Sequence, residues 1–553
     1  MNINRSFKLI SFVLVIFMLL MPVSGCKSSE LTPDKAKETL DAYMSKVRVI
    51  SMPLSMDLEG SILTNPGDEL PVIDTYPFTV SGSGVINIEL FGSTEKTGSN
   101  IDGWLNEAGE SFNSQGFEIN GQSVSVSIRP LSSGLGMDYI LTGRYMPDAY
   151  SPANELWGEM LKSNNVQIEL TEPRLVGNTA GILMKKQTYD KFVADRDAVT
   201  LVNVLDAAMN GEILLGYTNP YASGTGLNIL TAMLQAFDSA SPLSEDARKQ
   251  LEMLQSKIPP VAYTTAQMRE SAKNGILDAM VMEYQTYVNE PGLKDYVFTP
   301  FGARHDSPVY AIGSISSEKK AALKLFTDYC KSDEMQAKAE RFGFNANDDY
   351  AGTAVNFTGS ELFVAQQVWK EKKDSGRPVV AVFAADVSGS MEGSPINELK
   401  LSLINSSQYI NEENYIGLIS YSKDVYLNLP IAKFDAEQRA YFNGAVKGLS
   451  AGGNTATYDG VLAGIDMLLQ AQNDIANAKL MLFVLSDGEQ NEGYSLDKIE
   501  SLVKALGVPI HTIGYNADLD ELEKLSSINE ASSINSSDSD VVYNLKNMFN
   551  AQM

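Results

Sequence analysis

The chain runs to 553 residues, too many for one hydrophobic core, and its 44% apolar and 20% charged content is that of a globular protein of roughly two to four domains. Its 69 acidic against 43 basic side chains give a formal net charge of −26, a balance that repels phosphate backbones and argues against nucleic acid as a partner. With two cysteines and two histidines, His305 and His511, it is poorly supplied for a disulfide framework, a histidine-rich metal centre or a Ser-His-Asp triad.

Arg5 and Lys8 precede an apolar run, residues 9–23, that closes on Ser24, Gly25 and Cys26. A charged start, an apolar stretch short for a membrane span and a small-residue ending make residues 1–25 read as a secretory signal. The V-S-G-C ending resembles a bacterial lipobox, which implies cleavage before Cys26 and acylation of its thiol, with palmitate as a representative chain. An uncleaved N-terminal membrane helix is the alternative, and both readings place the bulk of the chain outside the cytoplasm, tethered to the cell membrane. Loss of Arg5 and Lys8 would make the net charge two units more negative. Acylation of Cys26 would leave Cys330 as the remaining thiol, with no intrachain disulfide to form. Cys330 shares a helical pattern with Leu323, Phe326 and Tyr329 and reads as core.

Residues 26–84 read as a tether and preface. Thr32 caps a predicted helix over 33–47 with Pro33 in its first turn, and the Pro, Gly, Thr and Ser of 65–84 predict loops or edge strands. From residue 85 strands and helices alternate, the texture of an α/β domain with a parallel sheet. Strands are expected over 85–91, 124–128, 180–184, 213–217, 276–282 and 309–312, and helices over 101–112, 227–237 and 317–330. Gly92, Ser93 and Thr94 follow the first strand, and the loop T-N-P-Y-A-S-G-T-G precedes the helix at Leu227. In order and texture, residues 85–346 resemble the type II periplasmic substrate-binding proteins of ABC importers. The resemblance implies two lobes that close on a small polar or anionic solute, held by loops before helices, where free N–H groups gather. It points to Ser93, Thr94, Ser223, Thr225 and Tyr284 as ligand contacts; the plainer reading of 223–226 is a helix cap. The glycine-rich loop lacks the spacing of a nucleotide-phosphate cradle.

A charged link, E-K-K-D-S-G-R at 371–377, follows a predicted helix over 363–370 and separates this domain, 85–370, from a second at 377–553. The second opens with V-V-A-V-F-A-A-D-V-S-G-S-M at 379–391, an apolar run read as a buried parallel strand that stops at Asp386 and is followed by Ser388 and Ser390. Hard oxygen ligands at the carboxyl end of such a strand suit a divalent cation. Helices are expected over 397–410, 436–446 and 541–548 and from the loop at 450–460 to 471, with strands over 415–420, 479–485 and 509–515. Two further loops are G-G-N-T-A-T-Y-D-G at 452–460 and L-S-D-G-E at 485–489. Together the three resemble the metal-ion-dependent adhesion site of von Willebrand factor A (vWA) domains. By that resemblance Ser388, Ser390 and Thr455 supply hydroxyls, and Asp386 and Asp487 supply carboxylates, often through water, to Mg²⁺ or else Mn²⁺ or Ca²⁺. Asn454 is an insertion relative to the simpler G-G-T form, and Thr455 rather than Thr457 is the threonine that aligns.

The expected fold class is α/β throughout: a two-lobed periplasmic-binding-like domain followed by a doubly wound, Rossmann-like vWA domain. Neutral hydroxyl ligands keep a cation electron-poor and able to accept a partner's carboxylate, and no strong nucleophile and base stand beside it, which favours capture over hydrolysis. The expected function is therefore that of a non-enzymatic, membrane-anchored binding lipoprotein that captures an envelope or extracellular protein through its metal. The alternative is the solute receptor of an ABC importer with an accessory vWA domain.

Overall fold

The computed structural model describes residues 31–58, 67–258, 268, 277–487, 490–515, 520–529, 531, 533–536 and 541–553. The expected signal segment and Cys26, and Gly488 and Glu489 of the third loop, lie outside the described residues. Among the described residues no helix is long and apolar enough to cross a membrane.

The strand Val379–Asp386 is buried along its whole length, and this places it at the centre of a sheet. Its side chains alternate between two cores: Ala381, Phe383 and Ala385 enter one face, Val380, Val382 and Ala384 the other. Parallel neighbours Tyr415–Tyr421 and Lys479–Ser486 flank it. The full strand order is Val49–Ser51, Val425–Lys433, Tyr415–Tyr421, Val379–Asp386, Lys479–Ser486, Ile510–Tyr515, Ser533–Ser536. The antiparallel strand Val425–Lys433 has no counterpart in the sequence reading, because Pro430 interrupts its pattern; the ladder absorbs the proline at a register shift against Ile416 and Leu418. Helices cover both faces, Ser394–Ser406, Ala436–Lys447 and Val541–Gln552 on the Phe383 side and Thr457–Asp474 and Leu496–Leu506 on the Val382 side.

Residues 33–58 belong to this same body. The helix Pro33–Met44 buries Ala36 and Leu40 in the Val382 core, Tyr43 stacks on Tyr494 at 4.5 Å, and Val49–Ser51 adds a parallel edge strand to Val425–Lys433. The chain then leaves and returns through the helix Gly359–Lys372, so the solute-binding-like part is inserted between two pieces of the C-terminal domain.

That insert has two lobes. One holds a sheet ordered Glu118–Ile119, Gln122–Pro130, Ile86–Gly92, Ala149–Ser151, Val309–Ile312, Ile168–Glu172; the other holds Tyr296–Arg304, Thr179–Lys185, Ala279–Glu283, Leu215–Gly216. The chain crosses between them before Thr179 and after Arg304. The helix expected from residue 227 starts at Gly224, because the Ser223 hydroxyl accepts the Gly226 N–H at 3.4 Å and caps it three residues earlier. The helix Gly359–Lys372, opened by a capping box of Thr358 and Glu361, joins the lobes: Leu362 packs with one core and Ala365, Val368 and Trp369 with the other. Cys330 is buried with a free thiol in the Ser317–Cys330 helix. The insert and the C-terminal domain meet where Lys546 pairs with Glu69 at 2.7 Å and Tyr543 enters a core with Leu70 and Leu135.

Candidate functional site

Three loops meet at the carboxyl ends of Val379–Asp386 and Lys479–Ser486. Asp386 is fully buried; one carboxylate oxygen accepts the Ser388 N–H at 2.8 Å and the other accepts the Ser486 hydroxyl at 2.7 Å. The Ser388 and Ser390 hydroxyls lie 3.0 Å apart, and Ser390 donates to Asp487 at 2.8 Å. Main chain binds the second loop to the first: the Gly389 N–H donates to the Gly453 carbonyl at 2.9 Å and the Gly452 N–H to the Val387 carbonyl at 2.8 Å. Gly453 has φ of 92°, a region that a side chain would strain.

Thr455 is buried and tied to the third loop, its N–H donating to Asn491 Oδ1 at 2.9 Å and its carbonyl accepting the N–H groups of Asn491 and Glu492 at 3.0 and 3.1 Å. Thr457 opens the helix Thr457–Asp474, and among the described residues its buried hydroxyl has no hydrogen-bond partner; it lies beside Tyr421, whose hydroxyl is likewise buried short of hydrogen-bonding geometry. The structure thus gathers Asp386, Ser388, Ser390 and Asp487 into one hydrogen-bonded set and fixes the Thr455 backbone beside it. The sequence reading passed over Ser486 and Asn491, which orient the acid and the threonine. Ser486 stood inside the quoted L-S-D-G-E motif; Asn491 carried no signal beyond its place in that loop.

The five residues expected to hold a solute scatter. Ser93 is buried and hydrogen-bonds with Glu95 and Lys96; Thr225 is buried and donates to Glu283 at 3.0 Å. Both face the seam between the lobes. Thr94 is exposed. Ser223 takes the plainer role of helix cap, its hydroxyl also accepting from Thr218 at 3.0 Å. Tyr284 is half-buried, edge-on to Phe298 at 5.1 Å. Reading from sequence missed the groups that fill the seam: Lys96, Glu283 and His305, all at least nine-tenths buried. Glu283 did carry a signal, because it ends the apolar strand Ala279–Glu283 as Asp386 ends its own.

Residues 381–551 match the von Willebrand factor type A domain family, and residues 97–345 match the bacterial extracellular solute-binding proteins. The chain combines these two domain families. Human inter-alpha-trypsin inhibitor heavy chain H3 is 31% identical over 159 residues, 26% of this chain and 17% of that relative, so the match spans well under two thirds of its length. The uncharacterized protein sll0103 of Synechocystis is 24% identical over 157 residues, covering 28% of this chain and 36% of that one. Among solved structures, a von Willebrand factor type A protein from Catenulispora acidiphila is 17% identical with a TM-score of 0.29, covering 32% of this chain and 43% of that one. A periplasmic thiamin binding protein is 11% identical with a TM-score of 0.40, covering 53% and 98%.

The donor set of the vWA domain fits a divalent cation. Burial pushes the Asp386 carboxyl above its ordinary range despite the two donors it accepts from, and burial does the same to Asp487; no basic side chain among the described residues offsets either shift. Two acids under that penalty, joined by serine hydroxyls, are an all-oxygen set of the kind Mg²⁺ prefers. Among the described residues no cluster of three or more His, Cys, Asp or Glu side chains offers an alternative centre.

Proposed function

We propose that this chain is a non-enzymatic binding protein outside the cytoplasm, held to the cell membrane by an acylated Cys26, that captures a partner protein through its vWA domain. Asp386, Ser388, Ser390, Thr455 and Asp487 hold Mg²⁺ or, in its place, Mn²⁺ or Ca²⁺. The cation, when bound, supplies a Lewis-acidic position for a carboxylate on an envelope or extracellular protein. What carries the reading is the hydrogen-bonded run from Ser388 through Ser390 to Asp487, which links two separate strand ends through oxygen donors alone. A capture experiment with the full chain and envelope extract tests it. Partner retention is expected with Mg²⁺ and lost with chelator or with Asp386→Ala; equal retention by the wild type and Asp386→Ala would overturn it.

A second reading, a solute receptor with an accessory vWA domain, is favoured by one observation: the seam between the lobes is lined by buried charged and polar side chains instead of the apolar contacts of a fused core.

A further inference from the structure

The seam carries a charge imbalance that its own hydrogen bonds make legible. Glu283 is 2% exposed and accepts from Thr225 Oγ1 at 3.0 Å, His305 Nδ1 at 2.8 Å and Asn178 Nδ2 at 3.1 Å. Three donors on one carboxyl is the pattern of an ionised group. His305, 1% exposed, does not balance it. Its Nε2 faces Asn228 Nδ2 at 3.0 Å and Asn154 Nδ2 at 3.3 Å. Asn228 is fixed in that orientation because its amide also bonds both the carbonyl and the N–H of Ala303, at 2.8 and 2.9 Å. Asn154 is fixed too, donating to the Gly224 carbonyl and accepting the Leu156 N–H. Two N–H groups aimed at Nε2 make it an acceptor, so the imidazole is neutral with its proton on Nδ1, toward Glu283.

Lys96 and Glu95 also face this cluster, while Arg174 and Arg304, beside Gly177, are matched by their own partners Asp306 and Asp348, and Asp102 at the lobe contact adds a further negative charge. Lys96 is fully buried, and burial works to strip its proton while Glu95, and Glu283 across the seam, work to keep it. Its ammonium bonds Ser93, Glu95 at 3.3 Å and the Pro152 carbonyl at 3.4 Å, all in its own lobe. One ammonium thus faces two carboxylates and a neutral imidazole. The N-terminus of the helix Gly224–Phe237 beside Thr225 offsets roughly half a unit charge, and the seam stays short of positive charge. Uncompensated charge in such a place is costly. A second, separate observation lies at the same helix end: among the described residues the fully buried Trp157 indole N–H has no acceptor, and its nitrogen lies 3.7 Å from where a Cβ on Gly224, the neighbour of Thr225, would sit.

We infer that the seam is a binding site for a small organic cation bearing an ammonium group beside a hydrogen-bond acceptor, an amino alcohol in its simplest form, with Glu283 as the anchor for the ammonium and Trp157 as the donor to the acceptor. An anion would add to the charge already in excess, so the cationic class replaces the anionic one among the solutes the fold admits. Entry requires the lobes to part where Gln285 bonds the Ile101 carbonyl and Asp102, both at 3.0 Å, and where Asn154 bonds Gly224. The inference rests on the solute-binding reading and not on the metal site.

Thermal unfolding and calorimetry of the full chain, in chelator to silence the metal site, test it with ethanolamine and with sulfate. Ethanolamine is expected to raise the unfolding temperature in a dose-dependent way and sulfate to leave it unchanged. Glu283→Gln keeps the shape and should weaken ethanolamine binding about tenfold or more. Lys96→Met removes a competing ammonium and should strengthen it, an opposite sign that a general loss of folding does not produce. Stabilisation by sulfate alone, by neither probe, or by ethanolamine equally in Glu283→Gln overturns the assignment. Stabilisation by sulfate alone would still leave a solute receptor, whereas silence to both probes would count against that reading as well.

Discussion

Asp386 shows what one residue's surroundings add to its identity. An aspartate after an apolar strand, with hydroxyls two and four positions on, was legible because the residue types themselves carry the chemistry. The Ser486 hydroxyl that accepts no such notice in sequence donates to Asp386 at 2.7 Å and fixes its second oxygen. Ser486→Ala is therefore expected to lower Mg²⁺ affinity roughly 10- to 100-fold without removing a ligand, read by calorimetry, with a smaller effect on unfolding temperature than on binding. His511 gives a second prediction at this scale. It is fully buried and stacked on Phe483 at 5.1 Å, and burial first, then Lys479, depress its pKa to about 3. The unfolded chain binds that proton near the ordinary value of about 6.5. Because the folded value is the lower one, the unfolded state holds more protons between the two. Stability is present above about pH 6.5 and falls by up to ~1.4 kcal/mol per pH unit on descending toward pH 3. Denaturant titrations of wild type and His511→Phe across that range should converge or cross on acidification; parallel curves would contradict the prediction. Cys330, whose thiol burial pushes well up, should resist alkylation in the native chain and react once unfolded.

At the scale of elements, strands and helices with strong internal periodicity were legible: Ser317–Cys330 was expected at the bounds it has, and the central strand Val379–Asp386 within a residue or so of its ends. What escaped depended on partners distant in the chain. Val49–Ser51 is three residues long and forms only because Val425–Lys433 offers it an edge; the neighbouring Arg48–Asp424 contact spans 376 positions. No local pattern encodes such a pairing. The placement makes a prediction: Leu40→Ala, in the helix Pro33–Met44, should destabilise the C-terminal domain by about 2–5 kcal/mol, measured by chemical denaturation of the full chain. The same change should leave ethanolamine binding at the lobe seam untouched.

Across the whole molecule, the insertion of one domain within the other makes their junction part of the fold. Lys546, largely buried, pairs with Glu69 and lies near Asp138 and the Tyr409 ring, 5.4 Å away. Burial first, then Lys546 and Glu69 in opposite senses, set the Asp138 carboxyl at about 6. A carboxyl raised above its ordinary 3.8 binds more protons folded than unfolded, so its contribution is present at low pH and is lost as pH rises from about 4 to about 6. Asp138→Asn should therefore stabilise the chain at pH 7 by ~1–3 kcal/mol and lose that advantage near pH 4, seen as a pH-dependent difference in unfolding temperature. The domain order was legible in sequence because composition and motifs change at the charged link; the insertion was not, since it resides in contacts between the two chain ends.

Three loops of the vWA domain are proposed to form a divalent-cation site. Its most direct test is calorimetric titration of Mg²⁺ into the full chain and into Asp386→Ala. One saturable site is expected in the wild type and none in the variant, while the unfolding temperature without metal is kept or raised, since the change relieves a buried acid. Equal Mg²⁺ binding by both proteins, or none by either, would contradict it.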